Sequence, residues 1–275
     1  GVFTLAGDNT YGGETTVNAG TLYLTGSVDG DVRVNGGVLT FGNNDAIAAG
    51  KQLIIFGGAL ASDDPARTIA NSVDVFGDFG VTGANPLALT GDVDLNGATR
   101  TVTADGVVLT LAGVVSNGGL TQSGDGGLLL SNDNTYTGDS TVNAGLLYIT
   151  GSVDGDAVVN GGTLGLGADD AIDAGHGLFI NGGLLASDDD ARNVANAVVV
   201  GGNFGVSNNS NLELSGDMDL GAATRTVTVS NTLTTFSGAL FNGGLTKTGA
   251  GTLLLSGTND FNDDVTVDAG VLQVT

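Results

Sequence analysis

The sequence predicts an all-β fold: a right-handed, single-stranded parallel β-helix, a solenoid of about six coils per 125-residue repeat. Three observations predict it. Turn and strand residues dominate the composition, the chain repeats itself at a fixed interval, and each copy carries short apolar runs closed by glycine.

Gly accounts for 49 of the 275 residues, more than twice the usual share. The 30 acidic residues are 28 Asp and two Glu (Glu14, Glu213), and only Lys51 and Lys247 are lysines. Long-chain helix formers are therefore scarce, whereas Asp, Asn and Gly, the residues of turns, abound. Val, Thr, Leu and Ile supply the strands. With 41% hydrophobic residues the chain has ample apolar surface to bury, which argues against disorder.

The duplication has a displacement of 125. "GDNTYGGETTVNAGTLYLTGSVDGD" (7–31) returns as "NDNTYTGDSTVNAGLLYITGSVDGD" (132–156). Without a gap, the same shift pairs "GALASDDPARTIAN" (58–71) with "GLLASDDDARNVAN" (183–196), and "SNGGLTQSG" (116–124) with "FNGGLTKTG" (241–249). About 70 of the 125 aligned positions are identical. The expected organisation is one continuous β-helix over 1–275, made of repeats 1–125 and 126–250 and a partial third, 251–275.

In chain order, the strand-like runs are "TLYLTG" from Thr21, "VLTFG" from Val38, "LIIFGG" from Leu53, "LALTG" from Leu87, "LTLAG" from Leu109, "LTQSG" from Leu120 and "LLLSN" from Leu128. Each ends in Gly or Asn, where the chain must turn. The step from Leu253 to Leu272 is 19 residues, and a period of about 20 divides a copy into roughly six coils. Two tandem β-sandwiches are the competing architecture. They would call for a core Trp and a linker between copies, but Trp is absent and "SGDGGLLLSNDN" (123–134) runs through the seam as strand-like sequence.

"GGLTKTGAGTLLLSGTNDFNDDVTVDAGVLQV" (243–274) and "GGLTQSGDGGLLLSNDNTYTGDSTVNAGLLYI" (118–149) resemble the passenger-associated transport repeat, the autotransporter-associated β-strand repeat; a truncated copy opens the chain. The departures are small: Gln122 where Lys is usual, and Phe261 and Asn262 where Tyr and Thr are usual. The resemblance implies a right-handed β-helical autotransporter passenger, exported to the outside or the cell surface of a Gram-negative bacterium. It further implies a stalk or adhesin segment whose neighbours are flanking coils of the same long protein, with a host-cell or matrix surface as an open partner. Gly1–Ala6 reads as mid-strand, so the expected start lies upstream and the segment is expected to belong to something longer. A self-assembling fibre or sheath is the alternative, and a polysaccharide-binding or polysaccharide-cleaving β-helix a further one.

The charge narrows the partners. A formal net charge of −23 opposes binding to nucleic acid or to an anionic membrane, and no apolar run approaches the length of a membrane-spanning helix. Zero Cys removes disulfides, thiolate metal sites and thiol catalysis.

No catalytic, cofactor-binding or metal-ligating residue is assigned. Asp63, Asp64 and Arg67, and Asp92, Asp94 and Arg100, have the composition of an acid/base cluster, but they recur as Asp188, Asp189 and Arg192, and as Asp217, Asp219 and Arg225. Duplicated charges at fixed phase suggest arginines tying turns to carboxylate and carbonyl oxygens. His176, equivalent to Lys51, reads as an exposed turn residue. Calcium is the one cofactor left open, by the Asp pairs Asp29/Asp31 and Asp154/Asp156 and by the recurring Asp8/Asp133 and Asp45/Asp170, although no tandem nonapeptide calcium pattern is present. The Asn-Gly-Gly tripeptides at Asn35, Asn117, Asn160, Asn181 and Asn242 suit turns with positive φ or short Asn stacks. Tyr11/Tyr136 and Phe79/Phe204 recur in phase, which favours core or stacking roles over an exposed sugar platform.

Overall fold

The computed structural model describes residues 1–65, 67–207 and 210–275. Among these residues there is no helix, and the named strands pair in parallel. The chain forms two compact units, 1–138 and 139–275, and each is a parallel β-solenoid.

In the first unit, one column of strands runs Val2–Leu5, Thr21–Leu24, Val38–Phe41, Ala59–Ser62 and Phe79–Thr82. We call this the first face. The second face runs Thr15–Val17, Val32–Val34, Leu53–Ile55 and Val73–Val75. The third stacks Arg67–Ile69, Leu87–Leu89, Val108–Leu111 and Gly127–Leu130. In the earlier coils, the short pairing of Asp8–Asn9 with Ser27–Val28 and the Val28–Ile47 bridge hold the third position in chain order.

The strands alternate because one side of each faces the interior. In Thr21–Leu24, Leu22 and Leu24 point in while Thr21 and Tyr23 lie outward. Stacking repeats this coil after coil, so inward residues form ladders: Val32, Leu53, Val73, Val93 and Val115 on one column are all buried. A buried aliphatic side chain contributes about 1.5–3 kcal/mol, and these ladders are the main source of cohesion in a chain without disulfides.

The coil and the repeat do not share a period. The register Val2–Thr21–Val38–Ala59–Gly80–Thr103–Ser123 climbs the first face in six rungs over 121 residues. Gly127–Leu130, equivalent to Val2–Leu5 after 125 residues, stacks on Val108–Leu111 of the third face. One repeat therefore fills six coils and one face more. The second unit shows the same slip within itself: Thr163–Leu166 and Leu184–Ser187 stack in one column on Leu146–Ile149, whereas its equivalent Val271–Val274 stacks on Thr252–Leu255 in a different column. The glycine-closed runs that read as one rhythm thus belong to different faces.

Two 12-residue strands, Val93–Ala104 and Met218–Val229, each join two faces around a corner. Their register breaks between Asp94 and Ala98, and between Asp219 and Ala223. Asn96 and Ala222 take left-handed φ of 53° and 55° there, in a bulge of two extra residues that bends the strand.

Candidate functional site

The duplicated Asp/Arg groups resolve into two kinds of turn brace. Arg67 Nε donates to Asp63 Oδ1 at 2.7 Å, and Tyr23 Oη donates to Asp63 Oδ2 at 2.6 Å. In the second unit Arg192 donates to both oxygens of Asp188, with Asp190 beyond at 3.5 Å. The arginine holds the carboxyl of Asp63, and that of Asp188, below the usual carboxylate range. Arg100 and Arg225 point elsewhere. Their Nε atoms donate to the carbonyls of Leu95 at 3.0 Å and Leu220 at 2.8 Å, closing the bulge. Asp92 and Asp217 accept backbone N–H groups from the next coil, of Val114 and Ala239, while Asp94 and Asp219 accept the side-chain amides of Asn117 and Asn242. These carboxylates are spread over separate turns: Asp63 and Asp188 are held by an arginine of their own turn, and Asp92, Asp94, Asp217 and Asp219 by the coil that follows.

His176 sits between both members of an Asp pair, with Nε2 3.0 Å from Asp154 and Nδ1 3.6 Å from Asp156. Asp156 also accepts the Gly177 N–H, as Asp31 accepts that of Gln52 in the first unit. Among the described residues no group of three or more His, Asp or Glu side chains has an arrangement that could hold a metal ion.

Asn35 donates to Asn18 at 2.8 Å, Asn160 to Asn143 at 2.9 Å and Asn181 to Asn160 at 2.8 Å, so three of the Asn-Gly-Gly turns stack as amide ladders. Asn117 and Asn242 instead adopt φ of 60° themselves. Tyr136, Phe79 and Phe204 are buried, but Tyr11 is exposed and shares a hydrogen bond with Thr15.

Three features were not read from the sequence. Lys247 is fully buried, and its ammonium donates to three backbone carbonyls. Phe56 and Phe76, both exposed, stack with ring centroids 4.7 Å apart, and Arg33 lies 4.8 Å over Phe56. Their equivalents are Asn181 and Gly201, so no repeat signal marks them. Lastly, a concavity in the second unit is lined by Leu146, Tyr148, Gly165, Ala186, Ser187, Asp188 and Asp189.

A stacked parallel solenoid with turns braced at matching positions in each copy defines a β-solenoid repeat protein. The passenger-associated-transport-repeat family matches at residues 1–24, 120–149 and 245–274. The chain carries three of these repeats, and over those residues it is similar to autotransporter passengers. It is similar to the adhesin BmaC autotransporter of Brucella suis biovar 1 (strain 1330), 32% identical over 279 residues, covering 98% of this chain and 7% of that protein. The chain thus spans a small fraction of the relative's length. No solved structure matches it.

Proposed function

We propose that the chain is a non-enzymatic stalk or adhesin segment, displayed outside a Gram-negative cell as part of a longer passenger. The observation that carries this reading is the fate of its charged clusters. Every duplicated Asp/Arg group that had the composition of an acid/base site is engaged in bracing a turn or a bulge. General acid–base work calls for two convergent groups with contrasting proton affinities, whereas Asp63 and Asp188 are each tied to an arginine and both held ionised. The relative, an adhesin autotransporter, supports the same assignment.

On this reading the mechanism is mechanical. Hydrogen bonds run from coil to coil, apolar ladders resist shear, and the Asp/Asn surface keeps the segment soluble. Its neighbours are further coils of the same protein, and its outer partner is a host-cell or matrix surface.

The test is to express the chain between a secretion signal and an outer-membrane β-barrel. The expected outcome is display on the cell surface, with protease-accessible epitopes and increased attachment to host-cell monolayers. Activity on acidic polysaccharides that disappears in an Asp63→Ala/Asp188→Ala double variant would replace this reading with an enzymatic one. Fibres formed by the purified chain alone would favour a sheath.

A further inference from the structure

The two copies differ in one place where the difference builds a concave surface. On the first face of the first unit, the outward column reads Tyr23, Thr40, Ala61. In the second unit it reads Tyr148, Gly165, Ala186. Tyr23 leans toward the turn: an added Cβ on Gly42 would lie 2.7 Å from its Cε2, and its hydroxyl reaches Asp63. Tyr148 instead lies along the column. A Cβ on Gly165 would meet its Cδ2 at 2.6 Å and its Cγ and Cε2 at 3.3 Å. The ring therefore rests on the strand where Thr40 carries a side chain in the other copy.

This change alters the surroundings of two groups at once. The Asp188 carboxyl is held by Arg192 without a tyrosine hydroxyl, and burial and the nearby Asp188 charge raise the affinity of the Tyr148 phenol for its proton. The resulting hollow, of about 290 Å³, is lined by Leu146 and Tyr148 of one strand, by Gly165 of the next, and by Asp188 and Asp189 at the turn beyond. That volume lies at the lower end of the range of small-molecule sites, the size of one sugar ring.

We propose that this hollow is a binding site for a neutral saccharide, one pyranose ring of a glycan. An aromatic ring lying on a sheet presents a negatively polarised face, which attracts the C–H groups of an equatorially substituted sugar ring. Carboxylates beside it accept hydroxyl donors. An anionic ligand would face Asp188 and Asp189, and a purely apolar one would desolvate the Asp189 carboxylate without offering it a donor. The substitution that makes the hollow occurs in one copy only, so the solenoid does not require it. The inference deepens the adhesin reading by naming the class of ligand. Because its assay uses the purified chain, its failure is independent of whether the segment is exported.

The experiment is saturation-transfer NMR with cellotriose and chitotriose as probes, against wild type, Gly165→Thr, Tyr148→Ala and, as a control in the other copy, Tyr23→Ala. Wild type and Tyr23→Ala should bind at least one probe with a Kd on the order of 1 mM. Gly165→Thr, which restores the residue of the first copy, and Tyr148→Ala should each weaken binding by about tenfold or more. Far-UV circular dichroism verifies that each variant keeps its β structure. No transfer to wild type from either probe overturns the proposal, and so does binding that survives Tyr148→Ala, whatever Gly165→Thr does.

Discussion

Lys247 and Gln122 occupy the same repeat position and solve the same problem differently. The chain turns sharply just after each, leaving carbonyl oxygens pointing inward without strand partners. Lys247 Nζ donates to the carbonyls of Thr248, Gly249 and Ala269 at 2.7, 2.8 and 3.1 Å. Gln122 Nε2 donates to Ser123 and, at 3.5 Å, Gly126, while its own Oε1 is buried without a donor. A buried polar atom left unsatisfied costs about 1–3 kcal/mol. Lys247→Gln should therefore lower the urea midpoint by a corresponding amount, and Gln122→Lys should raise it. Burial also lowers the pKa of Lys247 below the ordinary lysine value. The unfolded chain then holds more protons than the folded one between those two values, so stability rises with pH across that window. Urea unfolding at about pH 8 and about pH 10 should show wild type gaining on Lys247→Gln, and a constant gap would refute the assignment.

Among the elements, the corner leading into the first face depends on a column of stacked glycines. Gly20, Gly37 and Gly58 have φ of 72°, 71° and 75°, and Gly145, Gly162 and Gly183 repeat this with 64°, 64° and 72°. A Cβ on Gly162 would lie 2.5 Å from the carbonyl oxygen of Gly145, and one on Gly37 would lie 2.4 Å from that of Gly20. Gly162→Ala combines a left-handed backbone with a collision against fixed main chain. It should cost at least about 1–3 kcal/mol, read as a fall in thermal midpoint. The neighbouring Gly161→Ala brings its Cβ to 2.6 Å from the carbonyl oxygen of Asn143 without the φ penalty, and should cost less. These glycines explain why the fold was legible: period, turn residues and inward Leu/Val pairs are all local signals. The third face was not separable, because Leu87, Leu109 and Leu128 open runs that look like those at Leu22 and Leu53, and only lateral pairing assigns them. The bulge was hidden for a related reason, since Ala222 takes a conformation its identity does not advertise. The Tyr148 hollow needed three successive rungs of one column in place at once, so a Thr-to-Gly difference between copies carried no meaning in one dimension.

For the whole molecule, the balance lies between apolar ladders and charge. Thirty acidic residues face seven basic ones. Among the described residues the arginine–carboxylate pairs join Arg33 to Glu14, Arg67 to Asp63, and Arg192 to Asp188 and Asp190. Most carboxylates therefore have no arginine beside them. Stacking brings like charges close, because successive coils are about 4.8 Å apart. Asp74 and Asp94 are neighbours in register, and burial together with the Asp94 charge raises the Asp74 pKa. Repulsion of this kind is screened by salt, whereas ladder burial is not. The Debye length shrinks from about 30 Å at 0.01 M to about 3 Å at 1 M, so the thermal midpoint should rise steadily as NaCl is raised across that range. Braced turns such as Arg192–Asp188 would lose a little over the same range, since partly exposed ion pairs contribute only about 0–1 kcal/mol each. With so few pairs against so many uncompensated carboxylates, the repulsive contribution dominates and sets the sign. The same comparison separates screening from a specific metal site: at matched ionic strength, calcium and magnesium should raise the midpoint equally. A larger rise with calcium, lost in an Asp154→Asn/Asp156→Asn variant, would instead assign the Asp pair beside His176 as a calcium ligand set.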